Sequence, residues 1–167
     1  ELSMGASFPA LSAIIMRKHM QEFGSTREEF ASVAVKNHQN GTLNPDAQFQ
    51  MPITIETVLN SKVIADPIRL FECAPVGDGA AALLLSSKER AKKYTDDPVF
   101  VKGLGAGTDS ISLHTRPTLT TFQATIQATQ TAFKMAKIES KDVHLMEVHD
   151  AFTIMEVLAL EDMGICP

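Results

Sequence analysis

Residues 80–85 read Ala-Ala-Ala-Leu-Leu-Leu, with no polar interruption. The length of the run and its flanks suit a strand buried on both faces. Before it stands Pro75-Val76-Gly77-Asp78-Gly79, a tight-turn sequence whose strongest element is Asp-Gly. After it, Ser86 and Glu89 have capping-box spacing and predict a short charged helix through Tyr94. A strand buried on both faces needs covering layers on each side, which is the arrangement of α/β domains.

The rest of the second half keeps a βαβα rhythm. Strands are predicted at 68–73, 99–104 and 143–148. A helix over 118–136 carries Leu119, Phe122, Ile126, Phe133 and Ala136 on one stripe. A last helix over 151–163 closes at Gly164. The helical crossover predicts that 143–148 lies parallel to and beside 99–104. The first 67 residues are helix and loop. Pro9 and Gly24 bound a helix over 9–23. Ser25-Thr26-Arg27-Glu28 has capping-box form and opens a second helix to about His38. Turn signals fill 39–52, a short helix covers 55–60, and Thr95-Asp96-Asp97-Pro98 reads as a linker.

Composition narrows the function classes. The chain has 167 residues and a net charge of -5, which disfavours a phosphate-backbone binder, so no nucleic-acid partner is expected. No apolar run reaches the roughly 18 residues of a membrane helix, and no membrane partner is expected. The opening residues lack a secretory-signal pattern, and the two cysteines, Cys73 and Cys166, are too few for a disulfide framework. A reducing, cytoplasmic setting is expected, with a peroxisome or mitochondrion as the eukaryotic alternative. The chain opens on Glu1 and stops at Pro167 just past an apolar helical pattern. That favours an internal stretch of a longer polypeptide over a trimmed small protein.

Several residues carry candidate chemistry. Asp150 stands at the entrance of the last helix, where its carboxylate suits an N-cap. His149 precedes it at the carboxyl end of a predicted strand, where open α/β sheets place ligands; a satisfied strand-end histidine is the other reading. Glu147 shares a strand face with His149, but no third ligand stands at suitable spacing, so no metal is expected. Gly103, Gly105 and Gly107 form G-x-G-x-G, not the dinucleotide fingerprint, and read as a strand-exit loop. Lys88, Arg90, Lys92 and Lys93 read as a solvated helix face. Cys73, between apolar residues, reads as core. His19, His38 and His114 show no partner in the sequence.

Three segments together resemble the thiolase family. Residues 71–85, Phe-Glu-Cys-Ala-Pro-Val-Gly-Asp-Gly-Ala-Ala-Ala-Leu-Leu-Leu, resemble its Asp-Gly-Ala-Ala-Ala segment. Glu147-Val148-His149-Asp150-Ala151-Phe152-Thr153 resembles its Asn-Glu-Ala-Phe loop, in the His-Asp form of sterol-carrier-protein-x type and archaeal acetyl-CoA acetyltransferase-like thiolases. Lys36-Asn37-His38 with Asn44-Pro45-Asp46-Ala47-Gln48-Phe49 is similar to the loop-domain signature of that branch. The resemblance implies a layered αβαβα fold of which this chain is a central portion. Residues 1–66 would be part of the loop domain, 67–97 the end of the N-terminal half, and 98–167 the start of the C-terminal half.

The implied chemistry is reversible Claisen condensation or thiolysis of acyl-CoA, with the coenzyme A thioester as substrate and no separate cofactor. A cysteine takes the acyl group, and a second base moves the proton next to the thioester. Neither Cys73 nor Cys166 matches a catalytic cysteine motif of the family. His149 carries over as the oxyanion-hole residue, acting through a water. Ala74, Pro75, Ala151 and Phe152 carry over as substrate and CoA lining, and Asp78 and Asp150 as structural residues of the site. Many thiolases place a serine where this chain has Ala74. The alternative function is a catalytically silent thiolase-like scaffold or acyl-channelling subunit. Homo-dimers or tetramers are expected, with Met4, Phe8, Leu11 and Ile15 contributing an exposed apolar patch. His149 is expected in a cleft, partly enclosed.

Overall fold

The computed structural model describes residue 3 and residues 5–166. Helix α1 (Phe8–Phe23) has Pro9 in its first turn and ends on Gly24, whose φ of 76° lets its N–H reach Met20 O. Helix α2 (Arg27–Gly41) does open with a capping box, one residue later than the sequence suggests. Thr26 is the cap, and only the residue three positions on, Glu29, can reach back to its N–H, at 2.7 Å. Ser25 instead donates to His19 Nδ1 at 2.9 Å. The same one-residue shift recurs at α4 (Lys88–Ala91), which Ser87 caps in place of Ser86.

Between α2 and α4 come α3 (Ile55–Leu59) and a two-stranded antiparallel sheet of β1 (Val63–Ala65) and β2 (Ile68–Arg69). A cis Asp66–Pro67 peptide lies in their turn. The strand expected over 68–73 breaks after Arg69 into a 3-10 turn, Leu70–Glu72. There the Glu72 carboxylate accepts from Arg69 N–H at 2.7 Å, a local bond that competes with a ladder. Helix α5 (Gln123–Ala136) starts five residues later than expected. Thr118 Oγ1 captures Thr120 N–H at 3.2 Å, holding the lead-in out of the helix. Asp162 of α6 (Thr153–Asp162) then caps α5 from outside, accepting from Phe122 N–H at 2.7 Å.

Two clusters form the core. The larger joins Ala13, Ile15 and Met16 of α1, Phe30 of α2, Ile68 of β2, and Phe152, Ile154 and Leu158 at α6. The smaller joins Ala31 and Ala34 of α2 to Ile53 and Val58. Of the apolar patch expected near the chain start, Phe8 is 76% exposed, but Ile15 is buried and Leu11 half-buried. They turn inward because α1 packs on α6 and the small sheet. Met4 lies outside the described residues.

The predicted strands at 80–85, 99–104 and 143–148 are not ladder strands among the described residues, and no parallel pair joins 99–104 to 143–148. An apolar run becomes a two-sided strand only where neighbours take up its N–H and C=O groups and layers cover both faces. Here Leu83 is 91% and Val99 99% exposed. The α/β class holds through mixed helix and a small sheet. No described helix is long and apolar enough to cross a membrane.

The G-x-G-x-G stretch packs against α5 and is no open loop. A Cβ at Gly103, Gly105 or Gly107 would lie 2.2, 1.8 or 2.3 Å from the backbone oxygens of Ala132, Ala128 and Ala124. Two residues of extended chain advance about 6.6 Å and four of helix about 6 Å, so the two small-residue rows stay in step. Replacing Gly105 by Ala is expected to destabilise the protein by about 1–3 kcal/mol, the scale of overpacking. Gly79→Ala, with nothing within 4 Å of the new methyl, serves as the control. Urea denaturation of both variants checks this; equal midpoints would contradict the packing.

Candidate functional site

The first and second resembling segments, 71–85 and 147–153, meet through the backbone. Ala74 N–H donates to Ala151 O at 3.0 Å, and Cys73 forms an isolated antiparallel bridge with Phe152. This seam places the stretch after the 3-10 turn against the turn that starts α6. Helix α2 closes the other side. Between them lies a cleft of about 250 Å³, lined by Ala34, Asn37 and His38 of α2, by Cys73, Ala74 and Pro75, and by Asp150 and Thr153. The His38 ring stacks on Phe49 at 6.1 Å and meets Phe71 edge-on at 5.9 Å. Its Nδ1 lies 3.1 Å from Met51 O.

A second cleft, about 320 Å³, opens on the opposite side of the same turn. His149 lines it with Phe122 and Thr125 near α5 and with Met155, Ala159 and Met163 at α6. His149 is exposed, not partly enclosed as expected, because successive residues of an extended turn face opposite ways. Asp150 looks toward α2 and His149 toward α5. The structure therefore brings Ala74, Pro75 and Asp150 together and leaves His149 on the other side of the turn. Ala151 is half-buried at the seam, Phe152 is 8% exposed in the core, and Asp78 lies on an exposed stretch.

Asp150 is not the cap of α6. Phe152 occupies that position and offers no side-chain bond. The Asp150 carboxylate instead accepts from Asn37 Nδ2 at 2.7 Å, across 113 residues of sequence. Asn37 Nδ2 also donates to Glu156 Oε2 at 2.8 Å, and Lys36 Nζ pairs with Glu156 Oε1 at 2.8 Å. The Glu156 side chain is 4% exposed, a depth at which a carboxylate needs such partners. Sequence reasoning noted Lys36 and Asn37 but missed Glu156. The available signal was a lone carboxylate in the apolar run of α6. His19 was missed likewise: its Nε2 donates to the Glu161 carboxylate at 3.1 Å, tying α1 to α6.

Cys73 lines the first cleft as a half-buried thiol whose S–H reaches Arg69 O at 3.4 Å. Burial, then the nearby Glu72 charge, pushes this thiol above its ordinary range. It is thus a poor nucleophile, in line with the core assignment. Lys88, Arg90, Lys92 and Lys93 are all exposed, as a solvated face should be. No group of three or more metal-ligating side chains gathers among the described residues.

Comparison with known proteins places this geometry among relatives. Residues 105–167 match the family model described as Thiolase C-terminal domain-like. The chain is 48% identical to the acetyl-CoA acetyltransferase of Methanothermobacter thermautotrophicus, over 98% of its own length and 43% of that protein. It is 33% identical to sterol carrier protein 2 of Gallus gallus, over 95% of this chain and 30% of that one. Its structure superposes on the Ltp2-ChsH2(DUF35) aldolase with a TM-score of 0.92 at 30% identity, covering 99% of this chain and 45% of that one. A monomeric SCP2-thiolase like protein type 1 from Mycobacterium smegmatis gives 0.83 at 20% identity, over 96% of this chain and 38% of that one, a likeness of fold alone. The chain thus spans less than half the length of these relatives.

Glu72, 4% exposed, borders the first cleft. Burial raises its carboxyl above the ordinary 4.5, and the Arg69 N–H bond with the Arg27 and Arg69 charges only partly offsets this. A raised folded-state value means that the folded form holds the proton more tightly. The cost of ionising Glu72 is absent below the unfolded value and fully present once pH exceeds the folded one. Glu72→Gln should therefore be more stable than wild type near neutral pH, and the advantage should vanish at about pH 4. Thermal melts at the two pH values check this; an advantage that grows on acidification would contradict it.

Proposed function

The chain belongs to the thiolase superfamily, and from that premise we propose that it serves an acyl-CoA acyltransferase of the thiolase type. The reaction is reversible Claisen condensation and thiolysis, such as two acetyl-CoA giving acetoacetyl-CoA and CoA. The observation that carries this reading is the seam at which Ala74 N–H bonds Ala151 O at 3.0 Å. It unites the two motif segments on one wall, beside a cleft closed by the third. The chain lies in a polypeptide organised as loop domain (1–66), end of one half (67–97) and start of the next (98–167).

In this reading Ala74 and Pro75 line the path of the CoA arm, and Ala151 and Phe152 back the acyl group. Ala74 brings no hydroxyl, so the wall contacts the thioester arm through backbone and apolar surface. Asp150 and Asp78 are structural. His149 faces the second cleft, across the turn from Ala74 and Pro75, and in this reading supplies a donor from that side, through a water, to the thioester oxygen that becomes the enolate oxygen. That charge develops in the transition state, so a fixed donor accelerates the step more than it tightens binding. In this reading the acyl-accepting nucleophile and the acid/base pair come from elsewhere in the complete polypeptide, since neither Cys73 nor Cys166 stands in a catalytic cysteine motif of the family. Coenzyme A thioesters are the ligands, with no separate cofactor and no metal, and the assembly is a homo-dimer or tetramer.

A second reading is a silent scaffold or acyl-channelling subunit. The 30% identical neighbour whose name couples it to a DUF35 protein is itself called an aldolase, so it speaks for assembly with a partner and not for silence. Thiolysis of acetoacetyl-CoA separates the two. The polypeptide encoded by the full reading frame should consume CoA, and these 167 residues alone should not. His149→Ala in the active polypeptide should lower kcat by about 10²–10³, the usual effect of losing an oxyanion donor, with a smaller change in KM. An inactive full polypeptide would favour the scaffold. An unchanged kcat would remove His149 from its role.

A further inference from the structure

The turn 149–152 is pinned at two points. Ala151 O is held by Ala74 N–H at 3.0 Å, and the Asp150 carboxylate by Asn37 Nδ2 at 2.7 Å. The second pin is itself held. Both carboxylates, Asp150 Oδ2 and Glu156 Oε2, accept from Asn37 Nδ2, at 2.7 and 2.8 Å, and Asn37 Oδ1 accepts from Lys36 Nζ. Turning the amide over would aim its oxygen at two carboxylates and its NH2 at an ammonium, so one orientation is enforced. Lys36 is fixed in turn by the buried Glu156 at 2.8 Å. Since Asp150 is drawn to α2, His149 must project to the opposite side, into the cleft beside α5.

We infer that Asn37 is a positioning residue of the site: acting through Asp150, it fixes the orientation of the 149–152 turn and hence of His149. The kinetic half of this inference rests on the thiolase reading above; the structural half does not. A displacement of about 1 Å at a reacting centre can cost about 100-fold in rate, so a link this far from the chemistry can still govern it.

The test uses the polypeptide of the full reading frame, with Asn37→Leu, Asp150→Ala and the double variant. Asn37→Leu should lower kcat on the order of 10- to 100-fold with little change in KM. It should also speed hydrogen exchange at the Ala74 amide, whose acceptor lies on the turn. Asn37→Leu should add little in the Asp150→Ala background, because one route carries both effects. Additive effects in the double variant, or unchanged kcat with unchanged Ala74 exchange, would overturn the inference. An inactive wild type whose Ala74 exchange still responds to Asn37→Leu would discard the thiolase reading and keep the positioning link. Should Asn37→Leu not fold, Asp150→Ala, which alters an exposed side chain, carries the test alone: unchanged Ala74 exchange would overturn the inference.

Discussion

The burial of α6 against α1 and α2 is the constraint on which the rest depends. Ile154 and Leu158 are fully buried, packed with Met16 of α1 and Phe30 of α2. Burying two such side chains contributes on the order of 3–6 kcal/mol in transfer terms alone. That packing carries Glu156 into the interior with it, and a buried carboxylate must be matched. Lys36 and Asn37 match it from α2, and through Asn37 the helix packing reaches the turn before α6. Core and candidate site are thus one arrangement, with apolar contacts setting the distance between helices and polar contacts setting the orientation of the turn.

The contact between the glycine row 103–107 and α5 obeys a different rule. Small residues on both sides let backbone meet backbone, with Ala124, Ala128 and Ala132 facing the glycines. Asp162 then fastens the start of α5 to the end of α6 by accepting Phe122 N–H. Burial raises the Asp162 carboxyl, although the Phe122 bond opposes that rise. Helix α5 is therefore located by close approach on one side and a borrowed cap on the other. Its position forms one wall of the cleft that His149 faces.

Local features were legible where the chemistry is local. Gly24 as a helix stop, Pro9 in a first turn and a capping box before α2 all depend on residues a few positions apart. The one-residue errors at Thr26 and Ser87 arose because two hydroxyls stand side by side and only one can cap. The Gly103-Gly105-Gly107 row has no regular structure, as a loop reading implies, but its packing on α5 was not legible because the partner row lies on a helix about twenty residues on. The Asp150 cap was misread because a local bond was assumed where a distant one exists. Ala74, Pro75 and Asp150 line one cleft and His149 another, a division that the order of the motifs along the chain does not carry.

By itself the sequence determined the helices, most of their stops and the motif segments that resemble the thiolase family, because periodicity, caps and motifs are properties of neighbours along a chain. Tertiary structure decided which polar groups answer one another: Asn37 with Asp150 and Glu156, His19 with Glu161, Asp162 with Phe122. It also decided that the apolar runs at 80–85 and 99–104 carry no ladder among the described residues. The physical reason is common to both. A hydrogen bond or a ladder needs a partner at a set distance and angle, and where that partner lies is fixed only when the helices have packed.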